Sequence, residues 1–367
     1  MTQQFGRRRF LSQGALGVSL AGALPAFLAA CGDDKKSSSG GLADPASLSG
    51  TVNFLNFEGW AGKGTYAAFS TAFPKAKVNP IAWTSADDTI AKAKGRAGDI
   101  DVVLVDGTTF PSLDALKVLA DFGDGVPNLA NVDKAYKGNS WDPKDTRFAA
   151  TDYGRTGMAF RSDIVTEAPK SLAEWLDIAP KYAGKVVILD YQRSVMGSMM
   201  RMLGLPSSTK EQGDVDKAAA LLKKLKPSLL AVSTEVGKQL ASGEAVLALG
   251  DAYDIYTAKQ SNDAIAWVDQ TEGQVAYLEG LAILDGPRND AARAFVNFYL
   301  DSVQYADFIN TVSSAGTMPD NKGIKPELLS SPILNPGAGV RNKIEFHQVL
   351  GDAQAIWDAA WDAFKAA

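Results

Sequence analysis

Cysteine and histidine are nearly absent from this chain, with one of each, Cys31 and His347, in 367 residues. A lone thiol makes no internal disulfide, and one histidine cannot supply a His-rich metal site. Cys–His nucleophilic chemistry has little to draw on for the same reason. The sequence also lacks a G-x-S-x-G elbow, a Walker A string and an H-E-x-x-H pair, the usual signatures of hydrolases, nucleotide-binding ATPases and zinc peptidases. A carboxylate pair could still support glycosidase-like work, but no pair is distinguished for it. Basic residues are in the minority, 37 against 42 acidic, for a net charge of −5. That balance argues against nucleic acid and against a polybasic membrane surface. No internal repeat is visible, and no apolar run is long enough to span a bilayer.

What is present first is an export signal. MTQQFGRRRFLSQGALGVSLAGALPAFLAA carries three arginines, no acids and an apolar stretch from Ala15 to Ala30. It is too short and too rich in glycine for a stable spanning helix. Arg7-Arg8-Arg9-Phe10-Leu11 matches the twin-arginine pattern, which addresses cargo to the route for already folded proteins. Leu28-Ala29-Ala30-Cys31 resembles a bacterial lipobox, so Cys31 is expected to be the lipidated N-terminus. Two acyl chains on the glycerol plus an N-terminal one would anchor the protein durably, where one chain would not. Asp33 to Gly41 is hydrophilic and lacks the apolar content to fold. The expected division is therefore a signal at 1–30, a disordered tether at 31–49, and a folded region from about residue 50. Removing Arg7, Arg8 and Arg9 makes the mature charge −8. The expected location is the periplasm or the outer face of the cytoplasmic membrane, lipid-anchored.

The remaining ~320 residues suffice for two domains. Their 46% hydrophobic and 22% charged content is that of an ordinary globule, large enough to fold without disulfide staples. Strand and helix signals alternate. Thr51–Asn56 is a strand, followed by a helix over Thr65–Phe73 that stops at Pro74. Asn79–Thr84 is a second strand, and Ser85 can cap a helix running to Lys94. Asp101–Val105 is a continuous apolar run bounded by Asp-Gly, as expected of a buried parallel strand. Ser171-Leu-Ala-Glu174 is a capping box opening the helix that carries Trp175. Gly184–Leu189, Ala245–Leu249 and Ala276–Leu284 are further strands. Asp214 and Asn289 are expected helix caps, and Ile344–Phe364 is expected to be helical. Trp357 and Trp361, four apart, fit core or groove-covering roles better than ligand contact. The alternation points to parallel sheets with right-handed crossovers.

Several strings, taken in order, resemble the spermidine/putrescine-binding proteins of bacterial ABC importers. They are VNFLNFEGW, GDIDVVLV, SLAEWLDIAPKYAGKVVILD, KQLASGEAVLALGDAY and EGLAILDGPRNDAARAFVNFYL. The resemblance implies an α/β, two-lobed periplasmic-binding-protein fold of the second structural type, with parallel and mixed sheets and hinge crossovers. Lobe 1 would comprise 50–154 plus 280–323, and lobe 2 would comprise 155–279 plus 324–367. The chain would cross near Tyr153–Gly154, near Glu279 and near Pro319–Gly323. It further implies a monomer that catalyses nothing, needs no cofactor, and delivers a small cationic solute to an ABC permease. Ferric-ion binders of related fold use adjacent tyrosines, and no Tyr-Tyr dipeptide occurs here.

In open parallel sheets, ligands sit beyond the carboxyl ends of the strands. That rule selects the loops after Asn56, Val105, Leu189 and Leu249 and the turn around Tyr277. Four of these, and the approach to the fifth, carry an acid: Glu58, Asp106, Asp190, Asp251 and Glu279. Phe57, Trp60, Tyr191, Tyr253 and Tyr277 stand near them. Carboxylates beside aromatic faces suit an organic cation, although acids also favour exposed strand ends and Asp-Gly favours turns. By the resemblance, the ligand-loop aromatics become Phe57 and Trp60, a serine–aromatic pair becomes Asp106 and Thr108, and a tryptophan–x–acid pair becomes Tyr277 and Glu279. An acidic pair of the family is replaced by Tyr191 and Ser194, so the exact amine is left open. His347 falls near a glutamine of the family, where a core or surface role competes with one at the cleft edge. Arg193 is expected either to pair with Asp190 or to face the cleft, and the second arrangement would admit an amino acid or other zwitterion. An enzyme, a ferric-ion binder and a partner-binding lipoprotein that has lost transport are the rival readings.

Overall fold

The computed structural model describes residues 44–83, 85–95 and 99–367. The export signal, the lipobox with Cys31 and the tether segment 33–41 lie outside them. Runs rich in Val, Ile and Leu supply most of the sheet, because branched side chains pack well on a pleated surface. In chain order the strands are β1 (Ser49–Asn56), β2 (Lys75–Ala82), β3 (Val102–Asp106), β4 (Leu119–Ala120), β5 (Ala149–Arg161) and β6 (Val186–Leu189). They continue as β7 (Leu229–Ser233), β8 (Leu247–Asp251), β9 (Ile265–Val268), β10 (Val275–Leu284), β11 (Ala315–Gly316) and β12 (Glu345–Phe346). The main path runs β2-β1-β3-β10-β5-β8-β6-β7. β2-β1-β3 and β8-β6-β7 are parallel triplets, and antiparallel β10 and β5 join them. The fold is α/β with mixed sheets, as expected.

Two hydrophobic cores flank this junction. One gathers Phe54, Phe69, Leu104, Leu281 and Phe295, and the other gathers Trp175, Ile188, Met196, Leu249 and Trp357. β5 passes from the first, at Ala149, Ala150 and Tyr153, to the second, at Met158, Ala159 and Phe160. A thirteen-residue strand buried along almost its whole length is what lets one segment serve both cores. Ile324, Leu328 and Leu334 pack in the first core. Phe346 packs against the first core and Leu350 belongs to the second.

Local signals are read correctly in several places. Ser171 accepts from the Glu174 amide at 3.0 Å, and Glu174 accepts from the Lys170 amide at 2.7 Å. Ser85 accepts from Asp88 N at 3.1 Å. Four details differ. β2 starts at Lys75 because it pairs with β1 from Ser49 onward, and an edge position tolerates Pro80. Asp214 is not the cap; Glu211 holds that position, and Asp214 sits in the first turn, where an acid is favourable. Asn289 opens its helix as the first residue and accepts from Gly286 N at 3.0 Å, closing the preceding turn. Residues 344–353 are not α-helical. There β12 pairs with β10, Gly351 adopts φ 58°, and the helix begins only at Gln354.

Candidate ligand site

A cavity of about 950 Å³ opens at the carboxyl ends of the parallel strands. Each expected residue can be placed against it. Phe57, Asp106, Thr108, Asp190, Tyr191, Asp251, Tyr253, Tyr277 and Glu279 line it; Glu58 and Trp60 do not. The Phe57–Trp60 turn closes through Trp60 N to Phe57 O at 3.1 Å, with Gly59 at φ 76°. A positive φ at the third turn position puts Glu58 on the outer corner, exposed. Trp60 lies behind the wall, edge-on to Tyr253 with centroids 5.2 Å apart.

The aromatic wall continues with Trp83, whose ring is 3.9 Å from that of Phe57. Tyr277 lies flat over Gly154, its cross-strand partner on β5. A Cβ at position 154 would sit 2.1 Å from the Tyr277 ring, so glycine there is what admits the phenol. Tyr191 and Tyr277 meet edge-on at 6.3 Å, and Tyr191 donates its hydroxyl to Asp106 at 3.2 Å. Because Tyr191 packs on the second core and Asp106 ends a strand of the first, this bond crosses the cleft.

The acids differ in how they are satisfied. Asp106 also accepts from Thr108 N, Thr108 Oγ1 and Thr109 N at 3.1, 3.0 and 2.7 Å. Asp251 caps the helix Ala252–Lys259 by accepting from Tyr253 N at 2.9 Å, and burial pushes its carboxyl up to about 6. Asp190 is at the exposed rim and is 3.3 Å from the Lys365 amine. Glu279 is buried, its Oε2 has no hydrogen-bond partner, and its pKa stands well above the ordinary range. Burial is the main cause, followed by Asp152, Asp106 and Asp251.

Asp152 joins these acids and is not among the expected residues. It is fully buried on β5, accepts from Thr151 Oγ1 and Ser314 Oγ at 2.9 Å each, and is pushed by burial to about 6. The Trp60 indole N–H is near enough to Asp152 and Glu279 to lower both, yet makes no hydrogen bond of full geometry. The available signal was an acid two residues before Gly154, inside a crossover segment with no other reason to carry charge.

Arg193 does not pair with Asp190. Its guanidinium donates to Ser208 Oγ at 3.1 Å and to the Gln348 carbonyl at 2.5 Å, and it lies 5.1 Å over the Trp357 ring. His347 is a buried wall residue behind the cavity, edge-on to Tyr191 at 5.7 Å. Burial, reinforced by Arg193, drives its imidazole down to about 3, so it stays neutral. Among the described residues, no group of His, Cys, Asp and Glu converges to hold a metal ion.

Two α/β halves joined by a pair of long strands, with a walled cavity between the strand ends, define a two-lobed solute-binding protein of the periplasmic type. The chain belongs to the bacterial extracellular solute-binding protein family, whose profile matches residues 65–328. This is a family of binding proteins, not enzymes. The spermidine/putrescine-binding periplasmic protein of Salmonella typhimurium is 25% identical over 245 residues, 66% of this chain and 70% of that relative. The solved structure of a spermidine/putrescine ABC transporter substrate-binding protein from Streptococcus pneumoniae superposes with a TM-score of 0.78 at 17% identity. That match covers 87% of this chain and 99% of the other. A Treponema pallidum lipoprotein gives 0.76 at 21% identity, covering 86% and 99%. At these identities the structural likenesses establish the shared fold.

Proposed function

We propose that this protein is the lipid-anchored, extracytoplasmic solute-binding component of an ABC importer. Its ligand is a polyamine of the putrescine or spermidine kind, or a related organic cation, captured as two lobes close. The observation that carries the reading is the company kept by Glu279. It is a buried acid with a free oxygen, flanked by Asp106, Asp152 and Asp251, beneath the aromatic surfaces of Tyr277, Tyr253 and Phe57. An ammonium group would satisfy that oxygen and find ring faces around its methylene chain. Arg193, the one basic residue of the wall among the described residues, has its guanidinium held by Gln348 and Ser208 through Nη2 and stacked on Trp357, which favours a cation over a zwitterion.

The proposed lobes follow the two cores, with β5, β10 and the segment 335–349 as connections. Closure by hinge bending is then biased by a ligand touching both sides, and the closed form is what a permease would recognise. Twin-arginine export and lipidation at Cys31 would hold the monomer beside that permease. The Salmonella relative's name and the Treponema lipoprotein support the polyamine and anchored parts of this reading.

Titration calorimetry of the purified protein with putrescine, spermidine, arginine, lysine and betaine should give saturable binding for at least one of the two polyamines, and no turnover. Silence across the panel would remove the cation reading. Preference for the amino acids would shift it to zwitterions and return Arg193 to the ligand.

A further inference from the structure

The register of the central strands sets three carboxylates side by side. Glu279 on β10 has Asp106 as its Cα partner on β3 and Asp152 as its Cα partner on β5. Like charges directly opposite on adjacent strands are destabilising, and burial strengthens the repulsion. Asp251, at the end of β8, adds to the field on Glu279 and Asp152 to the field on Asp251. The other titratable groups facing this row are the phenols of Tyr277, Tyr299 and Tyr305, with Tyr191 against Asp106 and with Tyr253 and the Asp254 carboxyl against Asp251. None of them offers positive charge. Arg193 acts on Asp106, across the cleft. Among the described residues, Asp106, Asp152, Asp251 and Glu279 take part in no salt bridge.

Donors divide the row unequally. Asp106 accepts from two backbone amides and two hydroxyls. Asp152 has two hydroxyl donors, while Glu279 Oε2 has no partner, with only the Trp60 N–H nearby. The repulsion is therefore relieved at the Asp152–Glu279 pair, either by a proton or by a bound cation. We propose that Asp152 and Glu279 share one proton in the ligand-free protein, and that a cationic ligand displaces it, so that capture releases a proton. The proton leaves through the open cavity to bulk water, and the ligand's ammonium N–H takes its place against Glu279. No bond other than O–H is broken. This rests on the cationic-ligand reading. It makes Asp152, out of the ligand's reach, a positioning residue that sets the pH range of capture.

The sign follows from competition. A proton and the cation compete for the same pair, so affinity rises with pH until the pair is already ionised without ligand. For one released proton the dissociation constant falls by up to about tenfold per pH unit below that point and levels above it. Calorimetry of the wild-type protein with putrescine and spermidine, in two buffers of different ionisation enthalpy, should report about one proton released per ligand near pH 6. Asp152→Asn should lower the proton count near pH 6 and move the rise of affinity to lower pH, because Glu279 stays buried but loses its strongest charged neighbour. Infrared spectra of the ligand-free protein near neutral pH should show a protonated carboxyl band that disappears on cation binding and is weaker in Asp152→Asn at the same pH.

A missing band, or one that persists at saturation, overturns the proposal while leaving polyamine binding intact. A pH dependence that Asp152→Asn leaves unshifted also overturns it. If neither polyamine binds although the band is present, the cation reading fails and the coupling fails with it.

Discussion

Glu279→Gln should weaken putrescine or spermidine binding by between about tenfold and about a hundredfold, because a hydrogen bond to a charged group contributes roughly 1.5–3 kcal/mol. The substitution preserves shape and one acceptor oxygen, so the loss reports the charge. It should also raise the melting temperature of the ligand-free protein at about pH 8, and this opposite movement separates a binding role from a structural one. A carboxyl whose folded-state pKa is raised is more easily ionised in the unfolded chain. Its stability contribution is complete below the unfolded value near 4 and is lost as pH rises through the folded one. For Asp152 and Asp251, both pushed to about 6, that window runs from about pH 4 to about pH 6. For Glu279 it extends higher, since its pKa stands well above the ordinary range. Removing the Glu279 charge relieves repulsion on alkaline buffer and should do little in acid. Unchanged affinity would place Glu279 outside the contact, and a lowered melting temperature at alkaline pH would mean that its carboxylate is structural.

The part of this site legible in the sequence is the part that strand ends dictate. Asp106, Asp190, Asp251 and Tyr277 were reached through the rule that parallel strands present their carboxyl ends to a ligand, and all four line the cavity. Glu58 followed the same rule and stands outside, because one glycine at positive φ turned its side chain to solvent. Turn geometry within four residues is finer than a rule about loops. Asp152 was missed because its place depends on pairing between strands more than 120 residues apart. The sequence marks β5 and β10 separately, but nothing local says that Glu279 stands opposite Asp152 rather than one residue away. A shift of one would send the two acids to opposite faces. The helix signals behaved similarly. Ser171 and Ser85 declared their caps through nearby partners, whereas 344–353 looked helical and Glu345–Phe346 within it pair with β10 instead, a tertiary preference overriding a local one.

The last helix also holds the residue whose loss should be felt most in stability. Trp357 is fully buried in the second core, donates its indole N–H to the Thr209 carbonyl at 3.0 Å, and supplies the face on which Arg193 rests. Trp357→Ala should cost about 3–5 kcal/mol, the range for emptying a large aromatic from a packed core. For a chain of this size that corresponds to a melting temperature lower by roughly 4–8 °C. Binding should suffer as well, by a different route. Without the ring beneath it, the Arg193 guanidinium keeps only its hydrogen bonds to Ser208 and Gln348 and gains room to swing toward the cavity. A mobile cation beside Asp106 and Glu279 competes with a cationic ligand. Trp357→Phe should recover most of the packing and keep an aromatic face under Arg193, leaving only the lost bond to Thr209, worth about 1 kcal/mol. The two variants should therefore differ more in melting temperature than one hydrogen bond can explain, and only the alanine form should weaken putrescine binding. If Trp357→Ala melts within a degree or two of the parent, the helix is a peripheral strap. If both variants bind the ligand equally, the stacked arginine has no part in shaping the site.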